Sequence, residues 1–258
     1  MTVATMPGSR SSASPQLTVA GLAERHRRTW LADAAAYLRV LDWQGLAGRQ
    51  LAIIDFEDVP NLPQRAVAFT SPGGLFELVQ SLIPRSSLRP GPAMFIDTAA
   101  LADYAVGTAL DRLTEADAVW ITRVVVNAVA IHEYAHAVDF EARGVMLPDG
   151  TTLDTIFASN PTRSEGYRSH GAGWVRAYAH LVCRSMATPS HQEHYLDCFR
   201  AEIEHQALGP ADDYLEALDA DVDRHGIDLP LVEILRSPAP AGFVELFQAR
   251  DAARSANR

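Results

Sequence analysis

The chain has 258 residues, 48% hydrophobic and 21% charged, with a formal net charge of -10 and an isoelectric point near 5.3. That length can bury a substantial core, and the acidic balance disfavours nonspecific attraction to nucleic acid or to an anionic membrane. Its two cysteines, Cys183 and Cys198, are too few for a disulfide framework or an internal four-cysteine zinc ribbon, and they suit a reducing compartment.

Residues 1–16 are rich in Ser, Thr, Pro and Ala, so a disordered tail is expected there, with no apolar core of a signal peptide. No run approaches the ~18 apolar residues of a membrane span, and the expected location is cytoplasmic. One domain is expected over 17–258. From Leu17 to about Leu46, Leu22, Trp30, Leu31, Ala34, Tyr37, Leu38 and Leu41 recur at helical spacing. Arg25, Arg27 and Arg28 with His26 read as a solvated basic face on that helix. Leu51–Phe56 reads as a strand, Pro60 and Pro63 as breakers, and Ala66–Phe69 as a second strand. Gly73-Gly74 marks a turn before a short helix near 75–82. Ala93–Asp97 reads as a third strand, followed by a helical segment from Thr98.

A long helix comes next. Thr114 is its expected N-cap, with Asp117 completing a capping box, and Gly144 is its stop. That gives roughly 28 residues, or about 42 Å. Inside it lies His132-Glu133-Tyr134-Ala135-His136, set in apolar sequence from Val124 to Ile131. Residues four apart on a helix stand one turn above each other, so both imidazoles can grip one Zn²⁺. Glu133 lies about 100° round the helix, where it can take a proton from the attacking water.

Residues 145–170 form a long irregular connection, expected to shape and gate a cleft. Helices are expected at about 171–187, 190–207, 211–224 and 242–254. Strands first and helices afterwards give an α+β fold, with a sheet-and-helix part over 17–143 and a loop-and-helix part over 144–258.

Catalytic zinc takes three protein ligands and leaves a position for water. The leading third ligand is His170, in His170-Gly171-Ala172-Gly173-Trp174, at the start of an amphipathic helix that carries Trp174, Tyr178, Leu181 and Val182. Glu202 or Glu204 on a later helix, Asp139, and the loop carboxylates Asp154 and Glu165 are the alternatives. Asp139 falls seven residues beyond His132 and suits a supporting role, or a pair with Arg143 at i+4. Tyr167 and Tyr178 are candidate donors to a transition-state oxyanion. His180 reads as a satisfied core or surface histidine, and His191, His194 and His205 read as surface.

These residues resemble known families. The order of elements is similar to the zincin metalloprotease fold, a small twisted sheet over a long active-site helix, whose edge strand binds an extended peptide. If that carries over, Ala93–Thr98 is the candidate edge strand, with an ordinary interior strand as the alternative. His132-Glu133-x-x-His136 followed by His170-Gly171-x-x-Trp174 looks like the SprT-like metallopeptidases, in which the His before that Gly completes the zinc site. The resemblance covers about 45 residues. His132 to Asp139 also looks like the motif of the lethal-factor-like group, which takes its third ligand from a later helix. The chain departs from the SprT-like pattern in having no cysteine-rich ribbon, and its acidity does not suggest DNA. The resemblance implies a zinc-dependent peptidase, an endopeptidase by first expectation, acting on a peptide or protein. The rival expectation is a zincin-like domain that binds zinc and a partner without turnover.

Overall fold

The protein is described by a computed structural model over residues 17–49, 51–59, 67–71, 92–145, 170–190 and 192–256. The expected N-terminal tail, the Pro60–Pro63 breakers, the Gly73-Gly74 turn, the helix near 75–82, most of the 145–170 connection and His191 lie outside these residues.

Helix α1 (Val19–Leu41) starts where the Thr18 hydroxyl accepts from Gly21 N, and it buries Leu22, Ala23, Trp30, Ala34, Tyr37, Leu38 and Leu41 on one side. It ends earlier than its apolar spacing predicts. Asp42 turns inward, and its carboxylate accepts from Tyr134 Oη at 2.6 Å, Leu231 N at 3.1 Å and Arg184 Nη1 at 3.3 Å. Those partners outweigh one more helical turn, and Leu46–Arg49 forms a separate short helix, α2. On the basic face of α1, Arg25 and Arg28 are exposed, as expected of a solvated face, and His26 and Arg27 are partly buried. Arg25 and His26 both reach Glu115, at 2.9 and 3.0 Å, and Arg27 reaches Asp58 at 2.9 Å.

Strands β1 (Ala52–Asp55), β2 (Ala68–Ser71) and β3 (Ala93–Ile96) form a mixed sheet in the order β1-β3-β2. β1 runs parallel to β3, with Ile54 opposite Phe95, and β2 runs antiparallel to it, with Phe69 opposite Phe95. The candidate edge strand is therefore the central one. All four residues of β3 are buried, as expected of a strand covered on both faces, and among the described strands the edges are β1 and β2. Thr98–Val106 forms α3, capped by Asp97, whose side chain accepts from Ala100 N.

Helix α4 (Glu115–Arg143, 29 residues) follows the sequence closely. The Thr114–Asp117 capping box is present, and Gly144 closes the helix in the left-handed conformation at φ 66°. From Ala130 to Phe140 only His132 is not buried, because α1, α3, the sheet, α5 (Ala172–Met186) and α8 (Leu231–Arg236) surround it. The remaining helices are α6 (Glu193–His205), α7 (Ala211–His225) and α9 (Ala241–Ala256). The short α8 was not legible in the sequence.

The fold is α+β and mostly helical. Helix α5 departs from the amphipathic expectation, because its polar stripe Arg176, His180 and Arg184 is buried. Arg176 and His180 meet Asp221 of α7, and Arg184 meets Asp42 and the carbonyls of Leu41, Gly226 and Leu229. No helix among the described residues is long and apolar enough to cross a membrane.

Candidate metal centre

His132 and His136 stand one turn apart on α4, and His170 precedes α5 by two residues. One ligand atom from each of the three imidazoles lies within 4.8 Å of the others, and this is the one such group of His, Cys, Asp or Glu among the described residues. The three histidines can hold a metal ion. Asp139, Glu202 and Glu204 are outside the group, and Asp154 and Glu165 fall outside the described residues.

Trp174 builds the back wall. Its ring lies 4.4 Å from that of His170, 5.2 Å from that of His132 and 5.5 Å from that of His136, and its indole N–H donates to the His132 carbonyl at 3.4 Å. One side chain thus packs against all three imidazoles.

Burial sets the protonation of the rings. It pushes His132 down to about 4, with the Glu202 charge pulling the other way, and it holds His136 well below the ordinary histidine value. His170 is lowered too, again mainly by burial. Neutral imidazole is the form that ligates a metal, so the donor set suits one.

Glu133 is buried beside the trio, with Oε1 4.0 Å from His132 Nε2. Burial pushes its carboxyl up to about 7, against a hydrogen bond from Thr70, and the Glu202 charge adds to the rise. Thr70, on strand β2, reaches the Glu133 carbonyl at 2.8 Å and its Oε2 at 2.7 Å. Sequence reading missed Thr70, which lies 63 residues away and in no motif.

The site opens into a cavity of about 710 Å³. Val67, Ala68, Ala128 and Val129 make an apolar wall, and His132, Glu133, His170, Tyr178 and Glu202 bring the polar groups. Tyr178 is buried, its ring 5.7 Å from that of His132. Burial raises its phenol well above the ordinary value, so it stays a hydrogen-bond donor. Tyr167, the other candidate donor, lies outside the described residues. His205, read as a surface residue, is exposed at the cavity rim, and His194 is within 3.4 Å of Cys198 Sγ.

Asp139 faces away from this cavity. Arg143 Nε donates to its Oδ1 at 2.8 Å, and it lines a smaller space of about 220 Å³ behind the histidines. The i+4 pairing is thus present, and no hydrogen bond to a ligand histidine is. His180 is a core histidine, fully buried with Nε2 3.0 Å from Asp221, but only half satisfied, because its Nδ1 is buried without a hydrogen-bond partner among the described residues.

Comparison of the chain with protein-family models, curated proteins and solved structures finds no match in any of the three.

Proposed function

We propose that the protein is a zinc-dependent peptidase in which Glu133 is the general base. The observation that carries this reading is a buried carboxylate, tethered by Thr70, beside three neutral imidazoles at the mouth of a cavity. A metal-binding module needs no such base. His132, His136 and His170 would hold the ion. Zinc bound there supplies Lewis acidity and lowers the pKa of water towards about 7. Glu133 accepts a proton from water as the water oxygen bonds to the peptide carbonyl carbon. It returns that proton to the nitrogen as the carbon–nitrogen bond breaks, so the products are a carboxylic acid and an amine. Tyr178, which lines the cavity, is the candidate donor to the developing oxyanion.

The fold reading is a zincin of the SprT-like kind. It rests on the two motifs and on β2, an edge among the described strands, which packs on the helix that carries His132 and His136. An extended substrate would pair along β2, which replaces Ala93–Thr98 in that role. The lethal-factor-like alternative draws its third ligand from a later helix, and it is disfavoured because Glu202 and Glu204 stand outside the histidine group.

Metal analysis with a protease assay on unfolded protein tests the reading. Wild type is expected to carry one zinc per chain and to cleave. Glu133→Gln should keep the metal and lose roughly 10²–10⁴-fold in rate. His170→Ala should lose metal affinity, and unchanged affinity would remove His170 from the ligand set. Zinc in both wild type and Glu133→Gln with cleavage in neither would leave a zinc-binding interaction domain.

A further inference from the structure

The Glu202 side of the cavity has no part in the mechanism above. Glu202 Oε1 lies 3.7 Å from His170 Nε2, and Gln206 Nε2 donates to the same oxygen at 2.7 Å. The carboxylate is held in place beside the histidine group without belonging to it, and only 24% of the side chain is exposed. Glu133 and Glu202 are the two carboxylates among the described lining residues, and no arginine is among them. Arg254, the cation that acts on His170, is engaged by Asp251 at 2.7 Å and by the Gln206 carbonyl at 3.3 Å. A largely buried carboxylate with no arginine partner among the described residues is a receptor for a cation.

We propose that Glu202 receives the free α-ammonium group of a peptide substrate, so that the site acts on amino termini rather than within chains. The proposal rests on the hydrolytic reading and replaces the endopeptidase expectation. Distance decides which cation fits. The scissile carbonyl must lie beside Glu133, which flanks His132, and the ring of His132 is 5.5 Å from that of His170, which Glu202 flanks. A cation that touches Glu202 must then be close to the carbonyl in covalent structure as well. An α-ammonium is separated from its own carbonyl carbon by a single α-carbon. The lysine ammonium sits at the end of a four-carbon stem, and a guanidinium reaches at least as far. The apolar wall of Val67, Ala68, Ala128 and Val129 then suits an uncharged first side chain.

The test compares trileucine with N-acetyl-trileucine on the zinc-loaded full chain. The free peptide is expected to show a kcat/KM about tenfold higher or more. Glu202→Gln should make the two peptides equivalent, through a rise in KM for the free one. Calorimetric titration of zinc-loaded Glu133→Gln with both peptides gives a readout without turnover. It should show the same preference, and Glu133→Gln/Glu202→Gln should lose it. Equal handling of both peptides by wild type overturns the proposal, as does a preference for an internal lysine. If wild type cleaves neither peptide yet binds the free one in a Glu202-dependent way, the hydrolytic reading fails and the amine site stands.

Discussion

Thr70 touches the proposed base, Glu133, from outside every motif. Its hydroxyl lies within hydrogen-bond distance of both the carbonyl and the carboxylate of Glu133, so it fixes the rotamer of the proposed base against strand β2. Hydrogen bonds to charged groups contribute about 1.5–3 kcal/mol. Thr70→Val, which keeps the shape and removes the donor, should therefore lower kcat about tenfold or more with little change in KM. Thr70→Ser should recover most of the rate. Steady-state kinetics of the two variants, with zinc content measured in parallel, check this. Equal losses in both would mean that packing at β2, and not the hydroxyl, matters. Tyr134 has an equally local role. It fills a variable position of the motif, yet its hydroxyl donates to Asp42 and accepts from Ala47 N at 2.9 Å, tying α4 to the end of α1.

Two helices meet at the histidines, and their approach is set one turn further on. Gly173 of α5 lies against Asp139 of α4, and a Cβ at Gly173 would overlap Asp139 Oδ1. The same helix start carries His170 and Trp174, so any adjustment there moves the third imidazole and the wall behind all three. Gly173→Ala is expected to cost about 1–3 kcal/mol, as overpacking does, and to weaken zinc binding at least tenfold. Denaturant unfolding of the metal-free form and competition with a zinc chelator measure the two effects separately. Unchanged zinc affinity in a destabilised variant would show that the helix approach does not set the metal site. Gly171, the glycine of the His-Gly-x-x-Trp motif, is by contrast the N-cap residue with an extended backbone, so the close approach belongs to the second glycine.

Across the whole molecule, buried ion pairs bind the C-terminal helices to the site. Asp221 of α7 takes Arg176 of α5 at 2.8 Å and His180 of α5 at 3.0 Å, and Arg184, also of α5, reaches the end of α1 and the segment before α8. Burial opposes ionisation of Asp221, but the hydrogen bonds from His180 and Arg176 outweigh it and hold the carboxyl well below the usual carboxylate range. The unfolded chain takes up a proton at Asp221 near pH 4 while the folded one does not, so this contribution is complete above pH 4 and is lost as the pH falls. Asp221→Asn should cost about 3–5 kcal/mol at pH 7, because it leaves Arg176 buried without its counter-charge. The gap from wild type should narrow as the pH drops below about 4. Urea midpoints at pH 7 and pH 3 give the comparison, and a constant gap would count against the pairing as its source.

The sequence by itself determined what depends on neighbours along one helix. The capping box, the Gly144 stop, and the register that puts His132 and His136 on one face are local, so they are legible in residue spacing. His170 was legible as well, because ligand chemistry asked for a third donor and the chain offered a histidine at a helix start. The tertiary structure alone decided the rest. Strand order made β3 central and β2 an edge among the described strands, since four-residue strands carry no signal of which neighbour they pair with. It turned the polar stripe of α5 inward onto Asp221 and Asp42, partners on other elements that spacing along one helix does not name. It also brought Thr70 to Glu133 and Glu202 to His170. Such pairings form between elements far apart in the chain, through packing that no spacing along one element encodes.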